Sequence, residues 1–266
     1  MSRDSGQISK LITKIGKPIS YQLPIGDKVV DLNSILGNNI QFSFDGEIRC
    51  IECNVKIKKT FMQGYCYPCF ISSPKTSECI FKPELCKAHL GEARDMQWAE
   101  EHCLQDQYIY LALTSNLKVG VTRHTQIPTR WIDQGAHRAL TFAKTPNRYL
   151  AGMIELEVSK YMSDRTNWRK MLQGIYDNIN LKDKKDEISK LLPNKYHRYL
   201  NKNDDIINFN YPSLANLDKI KSINLDKTPK VEGKLTGIKG QYLILDNQNV
   251  LNVRKYTGYI LDINLK

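Results

Sequence analysis

No stretch of this chain approaches the roughly 20 consecutive apolar residues that a membrane-spanning helix needs, which excludes an integral helical membrane protein. Met1 to Lys14 carry no sustained apolar run, so a secretory leader is not expected and a cytoplasmic location is. No segment repeats at a solenoid period. Acidic residues are in deficit: 28 Asp and Glu stand against 39 Lys and Arg, a formal net charge of +11. Cysteine is missing from everything outside the span Cys50 to Cys103. What is present is a globular composition, 41% hydrophobic and 25% charged with a mean hydropathy of −0.46, which excludes a disordered chain. At 266 residues the chain has room for two or three domains.

The charge excess, with a pI near 9.2, points to a polyanionic partner, meaning nucleic acid. A plain Lys-rich surface, of the kind an AT-rich genome produces alongside abundant Asn and Ile, is the competing reading.

The 7 cysteines are more specific. Without a secretory leader the compartment is reducing, so metal ligation is favoured over disulfides. Cys50-Ile51-Glu52-Cys53 and Cys66-Tyr67-Pro68-Cys69 are two CxxC pairs, and the stretch between them is long enough for a short hairpin. Each pair places two thiolates on one tight knuckle. Four thiolates saturate a tetrahedral zinc and leave no open position for chemistry. The expectation is a structural zinc ribbon over residues 50–70. A redox role for either pair lacks the βαβ context such chemistry uses. Cys79, Cys86 and Cys103 accompany His89 and His102 at irregular spacing. Three thiolates and one imidazole make a second closed zinc set, while buried thiols beside surface histidines are the alternative.

The order of patterns gives an α+β protein. Residues 1–49 form a β-rich module, with Lys28 to Leu32 and Ile40 to Phe44 as strand-like runs. Residues 50–104 form a zinc-binding region whose later part is rich in loops. Residues 105–200 form an α/β core with basic helices. Within it, Tyr108 to Leu113 and Leu117 to Thr122 make a hairpin, and a helix passes through Trp131 and Ile132 behind Pro128. Ala139 to Ala143 suggest a third strand, and Leu150, Met153, Ile154 and Val158 line one face of a helix over Asn147 to Met162. A basic helical stretch runs from residue 164 to 200 with a break at Pro193. Residues 201–230 read as an irregular connector, and residues 231–266 as a small C-terminal β module.

Tyr108-Ile109-Tyr110, a turn, then Lys118-Val119-Gly120-Val121-Thr122 resembles the GIY-YIG nuclease signature, two tripeptides on adjacent strands. The wider chain resembles an uncharacterised bacterial family, domain of unknown function 2797. The segments that carry this likeness are Gly64 to Phe70, Lys118 to Arg123, Arg130 to Ala136 and Gly237 to Leu243. The nuclease resemblance implies a GIY-YIG-like core, which the zinc ribbon and the small β modules at both ends would flank. It places Tyr110 as the phenol that positions or deprotonates water near the scissile phosphate. It places Arg130 as the phosphate clamp, Glu155 as the carboxylate for one Mg²⁺, and Gly120 as the signature glycine. Lys118 stands where the second tyrosine belongs. An ammonium binds phosphate but is not the same base, which argues against full nuclease activity.

Simpler readings stand beside these. Tyr108 and Tyr110 share a strand face suited to packing, Glu155 and Glu157 fit a solvated helix edge, and Arg123 or Arg130 can pair with Asp133. What favours function is concentration: Lys118, Arg123, Arg130, Trp131, Gln134, His137 and Arg138 group phosphate donors, an amide and an aromatic ring in one short stretch, and Gly120 beside them would let a nucleic acid approach closely. The expectation is therefore a zinc-stabilised nucleic-acid-binding protein with a degenerate GIY-YIG-like core. A Mg²⁺-dependent phosphodiesterase and a zinc-containing protein-interaction adaptor are the alternatives.

Overall fold

The computed structural model describes residues 2–162, 166–214, 217 and 219–265. The start of the helical stretch expected from residue 164, and residues 215, 216 and 218 of the expected connector, lie outside the described residues. The fold is α+β and divides into two compact units, one made of Met1–Ile71 with Asn210–Lys266 and the other of Ser72–Phe209.

The chain begins in the first unit with β1 (Ser2–Gln7), β2 (Ile12–Lys14), β3 (Ser20–Ile25), β4 (Lys28–Asp31), β5 (Asn39–Arg49) and β6 (Lys56–Ile57). In β3, Tyr21, Leu23 and Ile25 are buried while Ser20 and Gln22 face solvent, the period-two pattern of a half-buried strand. A short helix, α1 (Tyr67–Ser72), follows the second cysteine pair. The chain returns to this unit through β11 (Lys221–Ser222), β12 (Lys230–Lys239), β13 (Tyr242–Leu245), β14 (Asn249–Asn252) and β15 (Tyr259–Leu265). The strands order as β1-β15-β5-β12-β13-β14-β11, with β6 on β5, and β2-β3-β4 form a separate sheet. β15 is antiparallel to both β1 and β5, and β5 also takes β12. The β stretches at the two ends of the chain are thus one sheet, sealed by Phe42, Leu235, Leu243, Leu261 and Ile263.

The second unit opens with four short 3₁₀ turns and α2 (Met96–His102), then the hairpin β7 (Gln107–Leu113) and β8 (Leu117–Arg123). Next come α3 (Thr129–Asp133), β9 (Arg138–Thr145), α4 (Arg148–Ser159), α5 (Trp168–Leu172), α6 (Leu181–Leu191) and β10 (Ile207–Asn208). The sheet order is β10-β9-β7-β8, all antiparallel, so the hairpin strand β8 is an edge. One sheet face packs Ile109, Leu111, Val119 and Phe142 against Ala151, Ile154 and Val158 of α4 and Ile188 of α6. The Asn147 side chain caps α4 by accepting from the Leu150 N–H at 2.9 Å. Leu150 and Met153 are only half-buried, so the buried stripe of α4 is narrower than the pattern suggests. On another side of the helix the bare backbone of Gly152 packs directly on the turn at Pro83 and Glu84. Among the described residues no helix is long and apolar enough to cross a membrane.

Candidate metal centres and a carboxylate–cation cluster

The two CxxC pairs meet in the first unit. The sulfur atoms of Cys50, Cys53, Cys66 and Cys69 all lie within 4.8 Å of one another. The Cys53 and Cys66 sulfurs are 3.7 Å apart, far beyond a disulfide bond and close to the roughly 3.8 Å edge of a tetrahedron with Zn–S bonds near 2.3 Å. The backbone N–H groups of Cys66 (3.2 Å) and Glu52 (3.5 Å) donate to the Cys50 sulfur, and that of Cys69 donates to the Cys66 sulfur at 3.5 Å. Burial works against ionisation of Cys50, but the N–H groups of Cys53, Cys66 and Glu52 outweigh it and bring the thiol down to about 6. Donors aimed at sulfur stabilise thiolate, the ligand form. The donor set therefore fits a zinc held by all four cysteines, with structural rather than catalytic consequences.

A second group forms in the other unit from Cys79, Cys86 and Cys103, whose sulfurs are also within 4.8 Å of one another. Cys79 lies in the 3₁₀ turn Glu78–Ile80, Cys86 caps the turn Pro83–Leu85, and Cys103 caps α2. Hydrogen bonds from Cys79 and Cys86 lead the causes that hold Cys103 far below the ordinary thiol range, and the Arg148 guanidinium adds to them. Neither expected imidazole joins this group. His89 is exposed and stacks on Tyr149 at 4.4 Å between ring centroids. His102 stacks on Trp98 at 4.0 Å, with its Nδ1 paired to the Trp98 carbonyl at 2.9 Å.

The residues singled out around the hairpin fall into three sets. Tyr110, Lys118, Arg130 and Glu155 come from β7, β8, α3 and α4 and act on one another. Burial pushes the Glu155 carboxyl up to about 7 and Glu84 adds to the rise, while Lys118, Arg130 and Arg148 pull it back. Sequence spacing gave no signal for Glu84, which arrives from a 3₁₀ turn, or for Arg148, which reads only as a helix start. Tyr110 is 1% exposed, and burial raises its phenol further above 10, with Arg130 and Gln134 opposing. A neutral, enclosed phenol does not deprotonate water at neutral pH, which corrects the role expected for it.

The second set is structural. Gly120 lies opposite Tyr110 in the ladder, and a Cβ there would stand 2.6 Å from the Tyr110 Cζ. Its missing side chain makes room for the phenol rather than for a ligand. Trp131 is 2% exposed and packs on Tyr110 and Phe209, so it has no face to offer a base. Gln134 is turned inward: its amide donates to the Tyr110 hydroxyl and to the Arg130 carbonyl. The third set lies elsewhere. Arg138 donates to the Ile179 carbonyl at 2.6 Å. Arg123 sits at the far end of β8 from Lys118, under the influence of Arg148 and Cys103.

A family model matches residues 37–261, a span that takes in the first cysteine pair, the hairpin, α3, α4 and the return of the chain. The chain belongs to the family described as protein of unknown function (DUF2797). Neither the curated proteins nor the solved structures contain a match to it.

Proposed function

We propose that this protein binds nucleic acid, holding the phosphate backbone at Lys118 and Arg130 while a zinc ion stiffens the four-cysteine knuckle. The observation that carries the reading is the convergence of Lys118 and Arg130 on Glu155 from separate elements of the second unit. Lys118 and Arg130 pull the Glu155 carboxyl down against burial and Glu84, which raise it to about 7. Lys118 and Arg130 are the side chains a phosphate diester would pair with, and the chain's +11 extends the attraction beyond the site.

The knuckle of the first unit supplies a second, independent support. Lys56, Lys58 and Lys59 are exposed beside it, Lys59 lies over the Phe61 ring at 5.3 Å, and Tyr67 is 56% exposed. Ammonium groups interleaved with an accessible aromatic ring suit a single-stranded or unpaired segment, whose bases stack while its phosphates pair. Crosslinking of the full chain to nucleic acid in cells, followed by sequencing, tests the reading. Recovered fragments crosslinked near α3 or the knuckle support it, and recovery no greater than from an unrelated basic protein rejects it.

A Mg²⁺-dependent phosphodiesterase is the second reading, favoured by the presence of Glu155 next to Arg130 as the GIY-YIG resemblance implies. In it Glu155 supplies a carboxylate oxygen to the cation and Arg130 bears on the phosphate. Metal-dependent cleavage lost in Glu155→Gln, with binding retained, separates the nuclease from the binder.

A further inference from the structure

The three-thiol group of the second unit opens on a cavity. Cys79, Cys86 and Cys103 all line one cavity of about 490 Å³, whose wall also includes Trp98, Arg94 and Asp95. Their sulfurs are close enough to share one ion, and no fourth His, Cys, Asp or Glu joins them among the described residues. The segment that carries them explains why an ion belongs there. Residues 74–90 are built from four 3₁₀ turns with no strand; the apolar cluster they form with α2 is buried only at Cys86, Ala88, Ala99 and Cys103, and Pro83 is buried separately against α4. Beyond the seat of Pro83 and Glu84 on α4, so small an apolar cluster holds little of the loop, and small scaffolds of this kind depend on a staple.

Charge narrows the choice of ion and of ligand. Three thiolates and a divalent cation leave one net negative charge. Arg148 is 9% exposed, its guanidinium donates to the His102 carbonyl at 3.2 Å and the Cys79 carbonyl at 3.5 Å, and its backbone N–H donates to the Cys103 carbonyl at 2.8 Å. One buried guanidinium thus balances a three-thiolate divalent site, whereas a monovalent ion leaves a buried charge uncompensated. A balanced site favours a neutral fourth ligand over an anion.

We infer that Cys79, Cys86 and Cys103 hold a zinc ion whose fourth coordination position faces the cavity and takes an exchangeable neutral donor, water at rest and a nitrogen ligand when one is supplied. Zinc held by three protein ligands keeps this position for a small molecule, unlike the saturated four-thiolate site. The site is independent of the proposed phosphate contacts, so either can stand without the other.

Elemental analysis and cobalt substitution test it on the full chain. Wild type should carry two zinc ions per chain, Cys86→Ser one, and both His89→Ala and His102→Ala two. After exchange for Co²⁺, added imidazole should shift the visible d–d bands of wild type and leave those of Cys86→Ser unchanged. The two histidine variants and the wild-type titration keep the test informative where Cys86→Ser fails to fold. One zinc per chain in wild type, loss of the second ion in either histidine variant, or a cobalt spectrum blind to imidazole each overturn the inference.

Discussion

Glu155 shows how one residue reports on its neighbourhood. Its carboxyl is raised by burial and by Glu84 from 4.5 to about 7, so the folded chain binds this proton more tightly than the unfolded chain does. A raised acid costs stability as it ionises: the cost is absent below the unfolded value near 4.5, grows as pH climbs, and is complete above about 7. Glu155→Gln removes the cost. Denaturant melts should therefore show the variant matching wild type at pH 4 and exceeding it by about 1–3 kcal/mol at pH 8. Equal stabilities at pH 8 would mean the carboxyl is not held out of water. Lys118 and Arg130 act in the opposite direction on the same group, so removing either should lift the Glu155 titration further.

At the scale of elements, the contact between α4 and the turn Pro83–Leu85 makes a prediction whose sign opposes helix propensity. Gly152 lies inside α4, where alanine ordinarily stabilises a helix by about 1 kcal/mol. A Cβ at this position would stand 2.7 Å from the Glu84 Cα, against backbone that cannot rotate away. Gly152→Ala should lower stability by about 1–3 kcal/mol, read as a reduced denaturation midpoint. Stabilisation would show that the turn is not seated on the helix. This packing was not legible in the sequence, because 3₁₀ turns carry no hydrophobic period; the apolar pattern of α4 gives Ile154 and Val158 correctly but says nothing of the Gly152 side. The hairpin, the third strand and the start of α4 near Asn147 were legible, since β-branched and aromatic runs and helical spacing act locally. The cysteine knuckle was legible for a similar reason: its spacing is itself the constraint. Tyr110 and Trp131 misled, since their residue types suit a nucleic-acid surface and only the packing of β7 on α3 shows that they are interior.

On the scale of the whole molecule, long-range pairing decides what local patterns leave open. Nothing in either end of the sequence announces that β1 will pair with β15, yet that ladder turns two apparent terminal modules into one sheet. The first cysteine pair follows β5, an interior strand that pairs with β15, β12 and β6, so the metal and the sheet are expected to fail together. Cys66→Ser should lose the four-thiolate zinc and unfold or aggregate. Retention of that ion and of the wild-type melting profile would contradict a structural metal.

The central claim is that Lys118 and Arg130 meet a phosphate backbone. It is tested most directly by measuring binding of labelled DNA and RNA across a salt series, for wild type, Arg130→Ala and Lys118→Ala. Each contact that is lost releases one counterion fewer, so each variant should bind about 1–3 kcal/mol more weakly and with a shallower salt slope. Unchanged affinity and slope in both variants, with every nucleic acid tried at moderate salt, would contradict the claim and leave the adaptor reading in its place.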